Sequence, residues 1–445
     1  MLNHRAPRSN VRLSLSPLVG IVLAVSMSAC AGDDGDDSSA GSAGTSAASA
    51  ASDGGTEAST STTDGGATQG GTSGTEGSGE ATSAGTETSA GTETSATGEA
   101  TDTSTSTGDA GTGTGTDTDT GTDTDTDTGD GPPALPAWVG GVNLSGGEFG
   151  NKYPGDYGFD YIYPSSEHTQ HFIDHGMTVF RVPFRWARIQ HELYGELDAE
   201  ELTRLRALVD YITAQGAYAI LDVHDYAHRG GFAVGSVELP NEALADLWSR
   251  LAPEFAADAQ VWFGLMNEPY GISAAQWLSA ANDSIAAIRE ADAGNVILVP
   301  GTRWTGAHSW YSGGDGSNAA VMVDVVDPGH NLVFELHQYL DSDSSGTHHE
   351  ECVSETIGSQ RLMAVTDWLR DEGYRGLLGE FAGADNPTCK AAIEDMLTYM
   401  QANQDAWLGF TWWATGPWWG DYPYSIAPDG EGNPAPQMEW LIPYL

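Results

Sequence analysis

Two glutamates stand where this sequence could carry out chemistry. Glu268 directly follows the largely apolar run 264–267, and Glu380 follows the run 376–379. One glutamate in such a place often caps a helix or joins a salt bridge, but two of them favour a reaction centre. Cleavage of a glycosidic bond needs such a pair, one protonated to release the leaving oxygen and the other ionised at the anomeric carbon.

Polar and aromatic residues also stand at or near the ends of other apolar runs. They are Asn143, Glu148, Arg181, His224, Asp225, Asn267, His337, Tyr339, Trp412 and Trp413. Parallel strands of a barrel bring their carboxyl ends together, and barrel enzymes carry out catalysis at that end. We therefore expect these side chains to surround the two glutamates.

Eight short apolar runs, separated by longer amphipathic stretches, must position these residues. Their alternation indicates an α/β fold with a parallel sheet and crossover helices, and eight strands over roughly 300 residues predict a (β/α)8 TIM barrel. The predicted strands are 138–144, 178–184, 217–223, 261–266, 296–300, 332–336, 375–379 and 407–413. Helical periodicity is clear in 199–215 and 273–290, whereas the Gly- and aromatic-rich stretch 306–318 predicts a loop.

Charge divides the chain into three segments. Of its 445 residues, 17 are Lys or Arg and 63 are Asp or Glu. The net charge is +3 for residues 1–30, −20 for 31–131, and −29 for 132–445, which has 14 basic and 43 acidic residues. All 14 Trp lie in the last segment, which alone has the apolar content for a large core. Such acidity excludes nucleic acid as a partner, because phosphate binding needs a cationic face.

The first two segments predict export and a tether. Residues 1–30 resemble a signal peptide, and their end, 27–30, resembles the lipobox of bacterial lipoproteins, which implies a lipid on Cys30. Ordinary signal-peptidase cleavage after Ala31 is the alternative. The protein is then either a bacterial cell-surface or outer-membrane lipoprotein, held to the membrane only by its lipid, or a secreted protein. Residues 31–131, rich in Ser, Thr, Gly and Asp, predict a disordered linker before a catalytic domain at 132–445.

Several motifs in the last segment resemble those of one enzyme family. They are 267–269 (Asn-Glu-Pro), 379–381 (Gly-Glu-Phe), 180–183 (Phe-Arg-Val-Pro), 141–144 (Gly-Val-Asn-Leu) and the Trp-rich stretch 412–422. Together they resemble family 5 glycoside hydrolases, and most closely the secreted β-1,4-endoglucanases of the fungal type. The resemblance implies a retaining double displacement on β-glucan, with Glu268 as acid/base and Glu380 as nucleophile.

The resemblance also assigns supporting roles. Asn267 is expected to bind the sugar 2-hydroxyl, a contact that strengthens in the transition state. Arg181 is expected to keep Glu380 ionised, and Tyr339 to donate a hydrogen bond to the same carboxylate.

Two histidines are expected to orient sugar hydroxyls and the two carboxylates. They are His224 and His337, although a single strand-end histidine has an equally ordinary structural interpretation. The family commonly has Asn after the first of them, whereas this chain has Asp225. A sugar contact at that position is therefore not predicted.

Tryptophans are the expected sugar platforms. Trp413 is predicted to lie under the sugar beside the cleaved bond, with Trp412 as the alternative, because adjacent strand residues face opposite ways. Loop tryptophans are interpreted as further subsites, with anchors of loop packing as the alternative. They are Trp304, Trp310, Trp418 and Trp419.

Two further features of the sequence are the other two cysteines and a histidine-rich loop. Once Cys30 is set aside, export favours a disulfide between Cys352 and Cys389. Residues 348–351 (His-His-Glu-Glu) could bind a metal, but a solvated loop is the preferred interpretation. We expect no metal and no cofactor, because two carboxylates suffice for the reaction.

Rival functions remain open from the sequence. A β-mannanase or another β-glycanase of the same barrel family is the nearest alternative, because motifs do not define the subsites. An inactive surface glycan-binding protein is a second alternative, although both glutamates are present. The protein is expected to act as a monomer on a polysaccharide or oligosaccharide.

Overall fold

Eight parallel strands close into a barrel in the computed structural model, which describes residues 135–445. Each strand pairs with the next along the chain, and the last closes on the first. The strands are β1 Val139–Leu144, β2 Val179–Phe184, β3 Tyr218–Val223, β4 Val261–Gly264, β5 Ile297–Pro300, β6 Leu332–His337, β7 Gly376–Glu380 and β8 Trp407–Thr415. The predicted (β/α)8 barrel is confirmed. The predicted signal peptide, the lipid site at Cys30 and the linker lie outside the described residues.

Six helices of at least two turns surround the barrel within 135–445. They are α1 Ser166–Asp174, α2 Ala199–Ala214, α3 Asn241–Leu251, α4 Ala274–Glu290, α5 Ile357–Asp371 and α6 Pro387–Ala402. Side-chain caps set where several begin: Asp198 accepts the backbone N–H of Glu201 at α2, and Ser273 accepts that of Gln276 at α4. None of the helices in the described part is long and apolar enough to cross a membrane.

The connection from β5 to β6 has no long helix. Residues 301–331 contain only the short turns Gly314–Gly316, Asn318–Val321 and Met322–Asp324. The loop predicted at 306–318 therefore agrees with the structure, and large side chains must fill the space that a helix would occupy.

A layer of apolar side chains fills the lower barrel, with one residue from every strand. They are Val139, Val179, Ile220, Trp262, Leu298, Val333, Leu377 and Leu408, and Val296 joins the same cluster. Because side chains alternate along a strand, positions two and four residues later face inward as well. Those positions on β2, β3 and β6 bring Arg181, Asp222 and Glu335 into the next layer.

A disulfide joins the loop after β6 to the first turn of α6. Cys352 and Cys389 are bonded, with their Cα atoms 5.2 Å apart. The predicted pairing is confirmed, and it fixes one wall of the barrel's carboxyl end.

Candidate active site

The two glutamates lie side by side at the carboxyl end of the barrel. Glu380 is the last residue of β7 and is only 4% exposed, while Glu268 lies just beyond β4. One carboxylate oxygen of each lies within 4.8 Å of the other. Glu268 has a backbone φ of 42°, a left-handed conformation that is strained for a glutamate and typical of functional sites. The local backbone thus turns this carboxylate toward its partner.

Glu380 is held through both of its oxygens. Arg181 donates to Oε1 at 3.1 Å, and the Tyr339 hydroxyl donates to Oε2 at 2.9 Å. Burial and the neighbouring Glu268 carboxylate nevertheless raise the pKa of Glu380 to about 8, against the opposing influence of His337, Arg181 and Tyr339. The pair of glutamates therefore holds one proton near neutral pH, which gives one acid and one carboxylate.

His337 links Glu268 to the layer below. Its Nδ1 lies 2.7 Å from Oε1 of Glu268 and 3.6 Å from Oε2 of Glu380. Its Nε2 lies 3.1 Å from Oε1 of Glu335. Burial opposes the charge of this ring, but the carboxylates of Glu380, Glu268 and Glu335 raise its pKa to about 10. The ring is therefore a cation at neutral pH.

Arg181 organises the asparagines of the site. Its guanidinium donates to Oδ1 of Asn143 at 2.9 Å and to Oδ1 of Asn267 at 2.7 Å. The Nδ2 of Asn267 is buried and has no hydrogen-bond partner among residues 135–445. That amide can donate to a bound hydroxyl, in line with the expectation for Asn267.

His224 lies directly after β3 at the same end of the barrel. Its Nδ1 lies 2.7 Å from Oδ2 of Asp222, and its Nε2 lies 3.3 Å from the hydroxyl of Tyr226. Burial lowers the pKa of His224 well below its usual value. The ring is therefore neutral, with its proton on Nδ1.

The two adjacent tryptophans of β8 face opposite ways. Trp413 stacks on His224, with ring centroids 5.3 Å apart and planes at 14°, and is 5% exposed. Trp412 is fully buried, and its indole N–H donates to the backbone oxygen of Tyr424. Trp413 is thus the one placed at the site.

The loop tryptophans differ in their environments. Trp304 is half-buried and stacks on Tyr270 at 5.2 Å, and Trp418 is 42% exposed. Trp419 stacks on Tyr422, with centroids 4.4 Å apart. The first two therefore present ring surface from the loops at the site's end of the barrel.

The interpretation of Trp310 as a sugar subsite is wrong. Its indole is fully buried and packs against Phe334 and Trp368, at centroid distances of 5.8 and 5.1 Å. The residue fills space between the barrel and α5 where the β5–β6 connection lacks a long helix. It is a packing anchor, which was the alternative interpretation.

Asp225, where the family commonly has Asn, forms an ion pair. Its carboxylate accepts the backbone N–H of Trp186 at 2.6 Å and lies 3.3 Å from Nη1 of Arg185. Arg185 also donates to the backbone oxygens of Glu148 and His224. The acidic residue is therefore part of the support beneath His224.

Residues 348–351, the alternative metal site, are not the ones that the histidine-rich loop brings together. Donor atoms of Asp341, Asp343 and His348 lie within 4.8 Å of one another. Asp341 already accepts the backbone N–H groups of Gly346 and His348. These contacts give the carboxylate a structural role in shaping the loop.

The sequence analysis did not identify Asp222 and Glu335 as residues of the site. Both are wholly buried and contact Arg181, with closest atoms 3.1 and 2.7 Å apart. The sequence did contain a signal for them. In both 222–224 and 335–337, an acidic residue stands two positions before a histidine at the end of a strand. This spacing places the acid and the histidine on the same face of the strand.

The barrel resembles known proteins over nearly its whole length. The family described as Cellulase (glycosyl hydrolase family 5) matches residues 140–416. Endo-beta-1,4-glucanase A of Emericella nidulans is 41% identical over 311 residues, covering 69% of this chain and 92% of that protein. The solved structure of XacCel5A in complex with cellopentaose is 50% identical with a TM-score of 0.68, covering 69% of this chain and 99% of that one. An endo-beta-1,4-glucanase from Xanthomonas axonopodis pv. citri is 46% identical with a TM-score of 0.68, covering 69% and 98%.

Proposed function

The chain belongs to the cellulase family of glycosyl hydrolases, family 5, and we propose that it is a retaining endo-β-1,4-glucanase that cleaves internal bonds of cellulose and related β-glucans. The observation that carries the mechanism is the placement of Glu268 and Glu380, with carboxylate oxygens within 4.8 Å. A retaining pair is about 5 to 5.5 Å apart, whereas inversion needs roughly 6.5 to 9.5 Å to admit a water. Carboxylate oxygens within 4.8 Å of each other favour the retaining geometry.

The first step forms a bond between Glu380 and the anomeric carbon. As that bond forms, the bond to the leaving oxygen breaks and Glu268 gives its proton to that oxygen. Arg181 and Tyr339, which bind the two oxygens of Glu380, orient the attacking carboxylate.

The second step returns the enzyme to its starting state. Glu268, now a carboxylate, takes a proton from water while the water oxygen attacks the anomeric carbon and releases Glu380. The cationic ring of His337, 2.7 Å from Glu268, stabilises the carboxylate at this stage. The product retains the configuration of the substrate.

The surrounding side chains supply the sugar contacts. The unpartnered Nδ2 of Asn267 donates to the sugar 2-hydroxyl, and the indole of Trp413 packs on the apolar face of the sugar beside the cleaved bond. Trp304 and Trp418 act as further subsites. The substrate class follows from relatives named endo-beta-1,4-glucanases and from the related structure that contains cellopentaose.

The first 131 residues are assigned to export and to attachment at the cell surface. Residues 1–30 direct export, Cys30 carries the lipid, and residues 31–131 separate the catalytic domain from the anchoring surface. The domain acts as a monomer, outside the cytoplasm.

A substrate panel tests the function. Reducing-sugar release is measured on carboxymethylcellulose, mixed-linkage β-glucan and β-mannan with the wild type and Glu380→Ala. The proposal expects release from the glucans, little from mannan, and none with the variant. Preference for mannan would identify a β-mannanase, and binding without release would identify a glycan-binding protein.

A further inference from the structure

Two strands of the barrel carry the same arrangement of an acid and a histidine. Asp222 precedes His224 by two residues at the end of β3, and Glu335 precedes His337 by two residues on β6. Residues two apart on a strand face the same side, so each acid lies one layer below its histidine. All four side chains are buried.

Each acid bridges its histidine to the same arginine. Oδ2 of Asp222 lies 2.7 Å from Nδ1 of His224 and 3.1 Å from Nη1 of Arg181. Oε1 of Glu335 lies 3.1 Å from Nε2 of His337 and 2.7 Å from Nε of Arg181. The remaining oxygens, Oδ1 of Asp222 and Oε2 of Glu335, have no hydrogen-bond partner within the described part of the chain. Buried carboxylates left half-satisfied are unfavourable for stability, which points to a role for their charge.

The two histidines differ in the group that faces the ring nitrogen turned away from the acid, which is Nδ1 in His337 and Nε2 in His224. In His337 that nitrogen faces the carboxyl group of Glu268 at 2.7 Å, so both ring nitrogens contact carboxyl oxygens, and both donate whenever Glu268 is ionised. In His224 it faces the hydroxyl of Tyr226, which can itself donate. Matching acids therefore support rings in different protonation states.

We propose that Glu335 is a positioning residue that keeps His337 doubly protonated and directs its Nδ1–H at Glu268, while Asp222 holds His224 as a neutral ring protonated at Nδ1. The consequence for turnover rests on the proposed function. When Glu268 is the carboxylate that must take a proton from water, a fixed donor on His337 holds it in place. Without Glu335 the ring loses one of its buried counter-charges and releases that proton at a lower pH.

The surroundings of His337 support a cationic ring. Three carboxyl groups lie near the His337 ring: Glu268 beyond β4, Glu335 on β6 and Glu380 on β7. The charged and titratable groups around these partners are Arg181 on β2, Asp222 on β3 and Tyr339 beyond β6. Burial opposes the carboxylate of Glu335, but Arg181 and His337 outweigh burial and lower its pKa. Burial raises the pKa of Asp222, to about 7, so the two acids are not equivalent.

Gly379 gives Glu335 the space that it needs. A Cβ at position 379 would lie 2.5 Å from Oε1 of Glu335, and at 2.8 and 3.0 Å from the next two side-chain carbons. Such contacts are far inside van der Waals distance. The glycine that precedes Glu380 therefore lets the supporting carboxylate lie against β7, within reach of both Arg181 and His337.

The test measures the protonation of His337 directly. Full-length protein labelled with 15N in its histidine rings is titrated by NMR, with the His337 signals assigned from their loss in His337→Gln. We expect both ring nitrogens to be protonated from pH 7 to above 8 in the wild type. In Glu335→Gln we expect the midpoint to fall by about one unit or more, and kcat on soluble β-glucan to fall by about tenfold or more.

Asp222→Asn is the matched control, because it removes the other buried carboxylate that contacts Arg181. It should alter the tautomer signature of His224 and move the His337 midpoint by much less than Glu335→Gln does. A wild-type ring of His337 that is singly protonated at pH 7, a measurement that needs no variant to fold, would overturn the proposal. So would an unchanged midpoint in Glu335→Gln. Because ring protonation is read without substrate, this result is independent of the substrate panel that tests the function.

Discussion

Tyr339 donates its hydroxyl to Oε2 of Glu380 at 2.9 Å, opposite the oxygen that Arg181 binds at 3.1 Å. The carboxylate is therefore held at both oxygens, and its rotation is blocked by two donors, one on β2 and one just beyond β6. Each donor stabilises the ionised form, which is the form that attacks the sugar.

Replacing Tyr339 with Phe should remove one of these donors while keeping the ring. A hydrogen bond to a charged group contributes about 1.5–3 kcal/mol, so kcat should fall by about 10- to 100-fold. Because the lost bond favoured the carboxylate, the pKa of Glu380 should rise, and the alkaline limb of the pH–rate profile, which follows the proton shared with Glu268, should move to higher pH. Steady-state kinetics on soluble β-glucan from pH 4 to 9 measure both effects.

Tyr424→Phe is the control for that variant. Its ring stacks on Tyr339 with centroids 6.2 Å apart, but its hydroxyl makes no contact with Glu380 in the described structure. Equal kinetic losses in the two variants would mean that packing, and not the bond to Glu380, accounts for the effect.

The alkaline limb of activity should follow the proton that Glu268 and Glu380 share. The pKa of Glu380 is raised to about 8 by burial and by Glu268, so the pair loses its last proton above that pH. With both carboxylates ionised, no acid remains for the leaving oxygen, and kcat/KM should fall as pH rises through about 8. An aryl glucoside with a good leaving group needs less acid assistance and should show a weaker decline in its first step. Equal declines for both substrates would contradict this assignment.

Azide should separate the roles of the two glutamates. In Glu268→Ala an activated aryl glycoside can still form the glycosyl-enzyme, which then stalls without a base. Azide needs no base, so it should restore turnover and give a β-glycosyl azide. In Glu380→Ala any azide product should have the α configuration, because no covalent intermediate forms. NMR of the products decides, and the opposite pair of configurations would reverse the assignment.

Loss of the disulfide should destabilise the wall of the site without changing its chemistry. The bond closes a loop with a sequence separation of 37 residues. Loop-closure entropy for that length corresponds to about 4 kcal/mol, and a double replacement of Cys352 and Cys389 by Ala should lower Tm by several degrees. At 25 °C kcat should stay near the wild-type value. Calorimetry with parallel assays tests this, and an unchanged Tm would contradict it.

The anchor and the linker should be dispensable for turnover. A chain that begins at Pro133 should hydrolyse soluble glucan at the wild-type rate and lose its attachment to cells. Cys30→Ser should release the full-length protein from membranes. Fractionation with and without detergent measures this, and a Cys30→Ser protein that still needs detergent for release would refute the lipid.

The order of elements was predictable because each strand of a barrel is buried on both faces. Runs such as 261–266 and 296–300 are apolar without alternation, and the predicted bounds lie within two residues of the observed strands. Adjacent residues on β8 were harder, because the choice between Trp412 and Trp413 depends on the register of the strand. Sequence spacing alone does not define that register.

Glu268 and Glu380 were predictable because carboxylates at the ends of two barrel strands favour a reaction centre over two separate structural roles. The support beneath them was not, because Glu335 and Asp222 lie within apolar runs, where a charge is expected only if it is paired. Their partner, Arg181, belongs to a third strand, and no spacing along the chain shows that the three meet. Trp310 was misassigned for a related reason. It fills the space left because the connection from β5 to β6 has no long helix, and the sequence alone does not show that space.

Gly379 limits how this barrel can be redesigned. A mutagenesis library at that position should return almost only glycine among active clones, because any side chain there meets Glu335. A library that first replaces Glu335 with a smaller residue should admit alanine or serine at 379. The two positions should therefore be randomised together when variants with altered pH optima are selected.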